Sequence, residues 1–111
     1  MTNIAILTCL DATKVCTGAG CLEAFFKRVG AFKNYDDELT LKAFWHCNGC
    51  GQPSCYCDGL KEKIERLEKM HVTHIHVGIC AFGEKYQCKT MEEIIDILKD
   101  RGFHVVFGTH E

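Results

Sequence analysis

Four short apolar runs alternate with three amphipathic helical stretches along the chain, and this alternation is the strongest constraint on the fold. "NIAILT" (Asn3 to Thr8) is a continuous apolar run, suited to a strand covered on both faces. "CLEAFFKRVG" (Cys21 to Gly30) spaces Leu22, Phe25, Phe26 and Val29 as a helix does, with Gly30 as a C-terminal stop. "LTLKAFWH" (Leu39 to His46) reads as a strand. "DGLKEKIERLEKMH" (Asp58 to His71) is a helix capped by Asp58. Leu60, Ile64, Leu67 and His71 mark one face and Glu/Lys pairs the other. In "THIHVGIC" (Thr73 to Cys80), Ile75, Val77 and Ile79 alternate as in a strand. "TMEEIIDILKDRG" (Thr90 to Gly102) opens with a Thr90/Glu93 capping box and buries Met91, Ile94, Ile95 and Leu98. "FHVVFG" (Phe103 to Gly108) is the last strand.

A β-α-β-α-β-α-β order implies a parallel sheet with right-handed crossovers and helices on both faces. The expectation is an α/β fold: a small three-layer α/β/α domain spanning residues 1–111, with four parallel strands ordered 2-1-3-4. At 111 residues, 47% of them hydrophobic, the chain can bury a core without disulfides. Its irregular parts are the Gly30–Glu38 connection and the Cys47–Cys57 loop.

Nine cysteines stand out in so short a chain. A formal charge of −2 and a pI near 6.3 argue against nucleic-acid and anionic-membrane partners. No apolar run approaches the ~20 residues of a membrane-spanning helix. The start, "MTNIAILTC", has neither the basic region nor the apolar stretch of a signal peptide. A reducing cytoplasm is therefore expected, where clustered cysteines indicate metal or redox chemistry rather than a disulfide scaffold.

All nine cysteines fall in or beside strand-to-helix connections. Cys9 follows the first strand, Cys47 and Cys50 the second, and Cys80 ends the third. Cys16 and Cys21 lie in the first connection, Cys55 and Cys57 in the second, and Cys88 in the third; His110 follows the last strand. In a parallel sheet these connections share the carboxyl edge, where open α/β sheets bind their ligands. The segment "HCNGCGQPSCYCDG" is then one wall of a larger thiol-rich face.

Three chemistries compete for that face. Cys47-Asn48-Gly49-Cys50 is a C-x-x-C, the spacing of redox dithiols, zinc ribbons and iron–sulfur proteins alike. The Trp-Cys-Gly-Pro-Cys context of thioredoxins is missing, and converging soft thiolates favour a metal. Structural zinc needs four ligands, which Cys9, Cys47, Cys50 and Cys80 would supply. Iron–sulfur centres use more of the remaining thiols and are favoured on that ground. The role is then electron transfer, redox sensing, or metal and cluster handling, with a redox or metal-donor protein as partner. A structural Zn2+ interaction module and a metal-free thiol oxidoreductase are the alternatives.

Among the histidines, His110 is the strongest ligand candidate. His74 and His76 share a strand face and read as hydrogen-bonded sheet histidines. His71 ends a helix, and His104 lies at the opposite edge. His46 points to the opposite face from Cys47. Trp45, Phe44 and Phe82 read as packing or shielding groups. The loop after the first strand, "TCLDATKVCTGAGC", lacks G-x-G-x-x-G and Walker spacing, which disfavours nucleotide binding.

"NIAILTC", "CTG" at Cys16, "HCNGCG", "IHVGIC" and the terminal "GTH", in that order over nearly the whole chain, resemble the CGGC-domain family. That family is named for a central Cys-Gly-Gly-Cys, and the resemblance implies metal binding, often described as zinc binding. It places Cys9, Cys16, Cys21, Cys47, Cys50, Cys80, Cys88 and His110 on family positions. Asn48 replaces the first motif glycine, and Gly51 the proline that usually follows the second cysteine. Cys55 and Cys57 are additional to the pattern. Asn48 tolerates a left-handed backbone, which would preserve the motif's turn.

Overall fold

The computed structural model describes residues 1–10, 14–48, 58–78 and 89–109. Strands β1 (Thr2–Thr8), β2 (Leu39–His46), β3 (His74–Val77) and β4 (His104–Phe107) form one parallel sheet in the order β2-β1-β3-β4. Helices α1 (Ala19–Lys27), α2 (Asp58–Lys69) and α3 (Lys89–Asp100) connect them, and a 3-10 turn spans Gly30–Asn34. This is the α/β architecture and strand order expected from the sequence.

β1 is the inner strand around which the layers assemble. Ile4, Ala5, Ile6 and Leu7 are all solvent-inaccessible. Ala5 and Leu7 face the layer formed by α2 and α3, where they meet Leu60, Ile64, Leu67, Met91, Ile94 and Leu98. Ile4 and Ile6 face the α1 layer, with Cys21, Ala24, Phe25 and Phe32. Each fully buried aliphatic side chain contributes about 1.5–3 kcal/mol, so both layers are held chiefly by apolar burial.

β2 carries a bulge. Ile4 pairs with Leu41 but Ala5 pairs with Ala43, leaving Lys42 as the extra residue. Leu39 and Leu41 pack on the α1 layer, whereas Ala43, Trp45 and Cys47 pack on the α2/α3 layer. Simple alternation would keep these odd-numbered residues on one face. The inserted residue switches the second half of the strand.

The helix ends differ from the sequence expectation. α1 stops at Lys27, because Arg28, two residues before Gly30, already takes the left-handed conformation (φ 57°) that ends it. Arg28 Nε donates to Phe32 O (3.3 Å) and an Nη to Tyr35 O (2.8 Å), which ties its strained backbone to the 3-10 turn. The buried face of α1 is Cys21, Ala24 and Phe25; Phe26 is 73% exposed and Val29 about half exposed. His71 is also left-handed (φ 60°) and closes α2 through His71 N–H to Glu68 O and Val72 N–H to Leu67 O. It is therefore exposed and does not extend the α2 face. α3 begins at Lys89, so Thr90 lies in its first turn rather than at the N-cap. Its buried residues are the four expected, and Gly102 (φ 92°) lies just beyond its end.

His76 is wholly buried on the α1 face. Its Nδ1 lies 3.0 Å from Gly108 O, an acceptor only, so Nδ1 carries the proton. Nε2 then accepts from Tyr35 OH at 2.6 Å, and the ring stacks on Phe32. Burial lowers the His76 pKa, partly opposed by the bond to Gly108, and His74 and His104 lower it further. The folded state thus binds a proton less readily than the unfolded chain. Stability from this site is full above an unfolded pKa of about 6.5 and is lost as pH falls through the folded value. Urea midpoints are expected to fall between pH 7 and 5, with a smaller slope in His76→Gln; an unchanged slope would refute the role of this histidine.

Candidate metal centre

The sheet brings Cys9 and Cys47 together. β1 and β2 end on the in-register pair Thr8 and His46, and each cysteine is the next residue. Both thiols are buried, at 7% and 1% exposure, in the same α2/α3 layer. Cys47 Sγ accepts a hydrogen bond from Leu10 N–H at 3.4 Å, directly after Cys9. Hydrogen bonds to sulfur of this kind are among the interactions that tune thiolate-bound metal centres. The preceding pair faces the other way: Thr8 Oγ1 and His46 Nδ1 are 2.6 Å apart, and the His46 ring lies against Phe44. His46 thus points away from Cys47, as alternation predicts. Burial lowers its pKa, with Lys63 adding to the shift.

Cys47 is held from both sides by one lysine. Lys63 Nζ, from α2, donates to His46 O (2.8 Å) and to Asn48 Oδ1 (2.6 Å). A Cβ on Gly59 would lie 3.2 Å from Asn48 Nδ2, so a side chain at 59 would crowd this amide. Asn48 is not left-handed; positive φ among described non-glycine residues is confined to Arg28 and His71. The asparagine therefore acts through its side chain, as an anchor to α2. Nothing local in the sequence marks Lys63 as a lysine that reaches back to a loop. Trp45, also in this layer, is buried, and among the described residues its Nε1 has no hydrogen-bond partner.

Cys16 and Cys21 lie toward the other face. Cys21 is buried in the α1 layer, with Sγ 3.1 Å from Thr109 Oγ1. Cys16 is exposed, and its Sγ accepts from Gly18 N–H at 3.4 Å. Gly18 is left-handed (φ 80°) and fits against Phe44; a Cβ there would approach the ring to 2.8 Å. Thr109 also accepts Ala31 N–H through its carbonyl, which ties the end of β4 to the 3-10 turn. Cys50, Cys55, Cys57, Cys80, Cys88 and His110, with Ile79 and Phe82, lie outside the described residues.

Among the described residues, no three His, Cys, Asp or Glu side chains are grouped to hold a metal ion. Cys9 and Cys47 nevertheless fit a thiolate-bound centre: both are buried at adjacent strand ends, Cys47 Sγ accepts an N–H···S bond, and Lys63 bonds the residues on either side of Cys47. They would supply two of its ligands.

The family model of the CGGC domain matches residues 3–110. No curated protein and no solved structure shows significant similarity to the chain. Among the described residues, no helix is long and apolar enough to cross a membrane.

If Lys63 positions Cys47, Lys63→Ala should speed hydrogen exchange at the Cys47 and Asn48 amides while leaving α2 helical. Two charge-assisted bonds are lost, at about 1–3 kcal/mol in total. Unchanged exchange at both amides would show that the lysine is dispensable.

Proposed function

The chain belongs to the CGGC domain family, and from that premise we propose that it is a cysteine-rich metal-binding protein carrying an iron–sulfur centre at the carboxyl edge of its sheet. The observation that carries this reading is the Cys9–Cys47 pair, two buried thiols on adjacent strand ends with a backbone donor on one of them. Cys9, Cys47, Cys50 and Cys80 form the proposed ligand set. Such a centre supplies one-electron storage or a cluster for transfer. Lys63 and Leu10 N–H offset the negative charge that thiolates bring, and the apolar layer around Trp45 limits water access. Cys16 and Cys21, with Cys88 and His110, are the donors available to a second centre. Cys55 and Cys57 are further candidates in the long connection. The proposed setting is the cytoplasm, with a redox or metal-donor protein as partner.

Thiol surplus decides between iron–sulfur and zinc. A closed zinc site uses four cysteines and leaves five of the nine as oxidisable thiols. Iron–sulfur centres engage more of them. Protein made anaerobically with iron supplied should show broad visible absorbance that bleaches in air. Cys9→Ser, Cys47→Ser or Cys50→Ser should each remove most of it. Colourless protein with stoichiometric zinc and no acid-labile sulfide would overturn the proposal in favour of a structural zinc module. Metal-free protein that exchanges a Cys47–Cys50 disulfide would instead establish a thiol oxidoreductase.

Chelation tests the relation between metal and fold. The α2 and α3 faces bury a broad set of apolar residues on the sheet besides the two cysteines, so metal should add stability by mass action without creating the fold. Far-UV helix signal is expected to survive removal of the metal. Its complete loss would reveal metal-dependent folding of the zinc-finger type.

A further inference from the structure

The opposite edge of the sheet carries a second group of metal-ligating side chains that the thiol site does not use. His74 opens β3 and His104 opens β4, and the two are register partners. Their rings lie side by side, centroids 4.8 Å apart and planes 40° apart. Two imidazoles sharing one ion, with metal–nitrogen distances of about 2.0–2.1 Å, have ring centres roughly 4.5–5.5 Å apart. His104 is exposed and His74 half-buried, so an ion reaches the pair from solvent.

The hydrogen bonds around His74 suit ligation. Thr73 Oγ1 donates to Asn3 O (3.4 Å), which leaves its oxygen to accept from His74 Nδ1 at 2.8 Å. That assignment protonates Nδ1 and frees the Nε2 lone pair, the arrangement that outer partners impose on metal-bound histidines. Tyr35 braces the ring edge-on, with centroids 5.7 Å apart. Burial and the neighbouring His104 lower the His74 pKa, against an opposing pull from Asp37. Neutral imidazole is the ligating form. Asp37 itself is engaged, by Thr2 Oγ1 at 2.6 Å and the amino terminus at 3.3 Å.

We propose that His74 and His104 form a two-histidine site for a nitrogen-preferring divalent transition metal such as Ni2+, Zn2+ or Cu2+, completed by water. It is separate from the thiol centre. Strands β3 and β4, four residues each, separate the histidines from the carboxyl edge by about 10 Å. Two imidazoles without thiolate select borderline ions, whereas the opposite edge selects soft-ligand chemistry. The site therefore stands whether the thiols bind iron–sulfur, zinc or nothing.

Ni2+ titration of the full chain near pH 7.5 tests this with two readouts. Paramagnetic broadening of the His74 and His104 ring signals in 1H–15N spectra reports the histidine pair. A thiolate-to-nickel charge-transfer band reports the cysteines independently. The His74 and His104 rings should broaden first among the histidines. His104→Asn, a change at an exposed side chain, should weaken that binding at least tenfold and leave the charge-transfer band unchanged. His74→Gln should reproduce the loss. Equal broadening of His74 in His104→Asn, or nickel binding seen only through the thiolate band, would overturn the proposal.

Discussion

The pairing of β1 with both of its neighbours is the constraint on which the rest of the structure depends. Its four central residues are inaccessible to solvent, so it must be covered from both sides. It pairs with β2 on one flank and β3 on the other, so the chain reverses its winding between β1 and β3. Right-handed crossovers then put α1 on one face and α2 and α3 on the other. Cys9 and Cys47, at the ends of β1 and β2, take their positions from this arrangement.

The bulge at Lys42 converts that frame into a site. Cys9 follows β1 on the face of Ala5 and Leu7. Without the extra residue, a β2 anchored by Leu39 and Leu41 on the α1 layer would send Trp45 and Cys47 to that same layer, away from Cys9. One inserted residue therefore sets which layer Cys47 joins. Lys63 then secures the result, since it bonds the chain immediately before and after Cys47 from a helix already locked by Leu60, Ile64 and Leu67. The glycine at 59 leaves room for the asparagine amide that completes this clamp.

Among the described residues, the α1 face is tied together by a series of buried and part-buried polar contacts. His76 joins Tyr35, at the end of the 3-10 turn, to Gly108, after β4. Thr109 joins Cys21 to that turn, and Arg28 holds the turn to α1. Satisfied hydrogen bonds remove the penalty of burying these groups, at about 1–3 kcal/mol for each one left unpaired. A short helix with only Cys21, Ala24 and Phe25 buried has a small apolar face, and the polar links supplement it.

Element order, strand order and the buried faces of α2 and α3 were legible in the sequence because apolar periodicity is a local signal. So were the placement of Cys9 and Cys47 on the carboxyl edge, which follows from parallel topology, and the family resemblance. The ends of α1 and α2 were not, because Arg28 and His71 take left-handed conformations that local rules reserve for glycine. Arg28 is held by carbonyls of the following turn, and His71 by backbone bonds to α2. Nor could the sequence pair Cys9 with Cys47 on one face and assign Cys21 to the other, link Lys63 to Asn48, or set His74 against His104. Each depends on a bulge, a register or a reach between elements distant in the chain, and such relations exist only once the strands have paired.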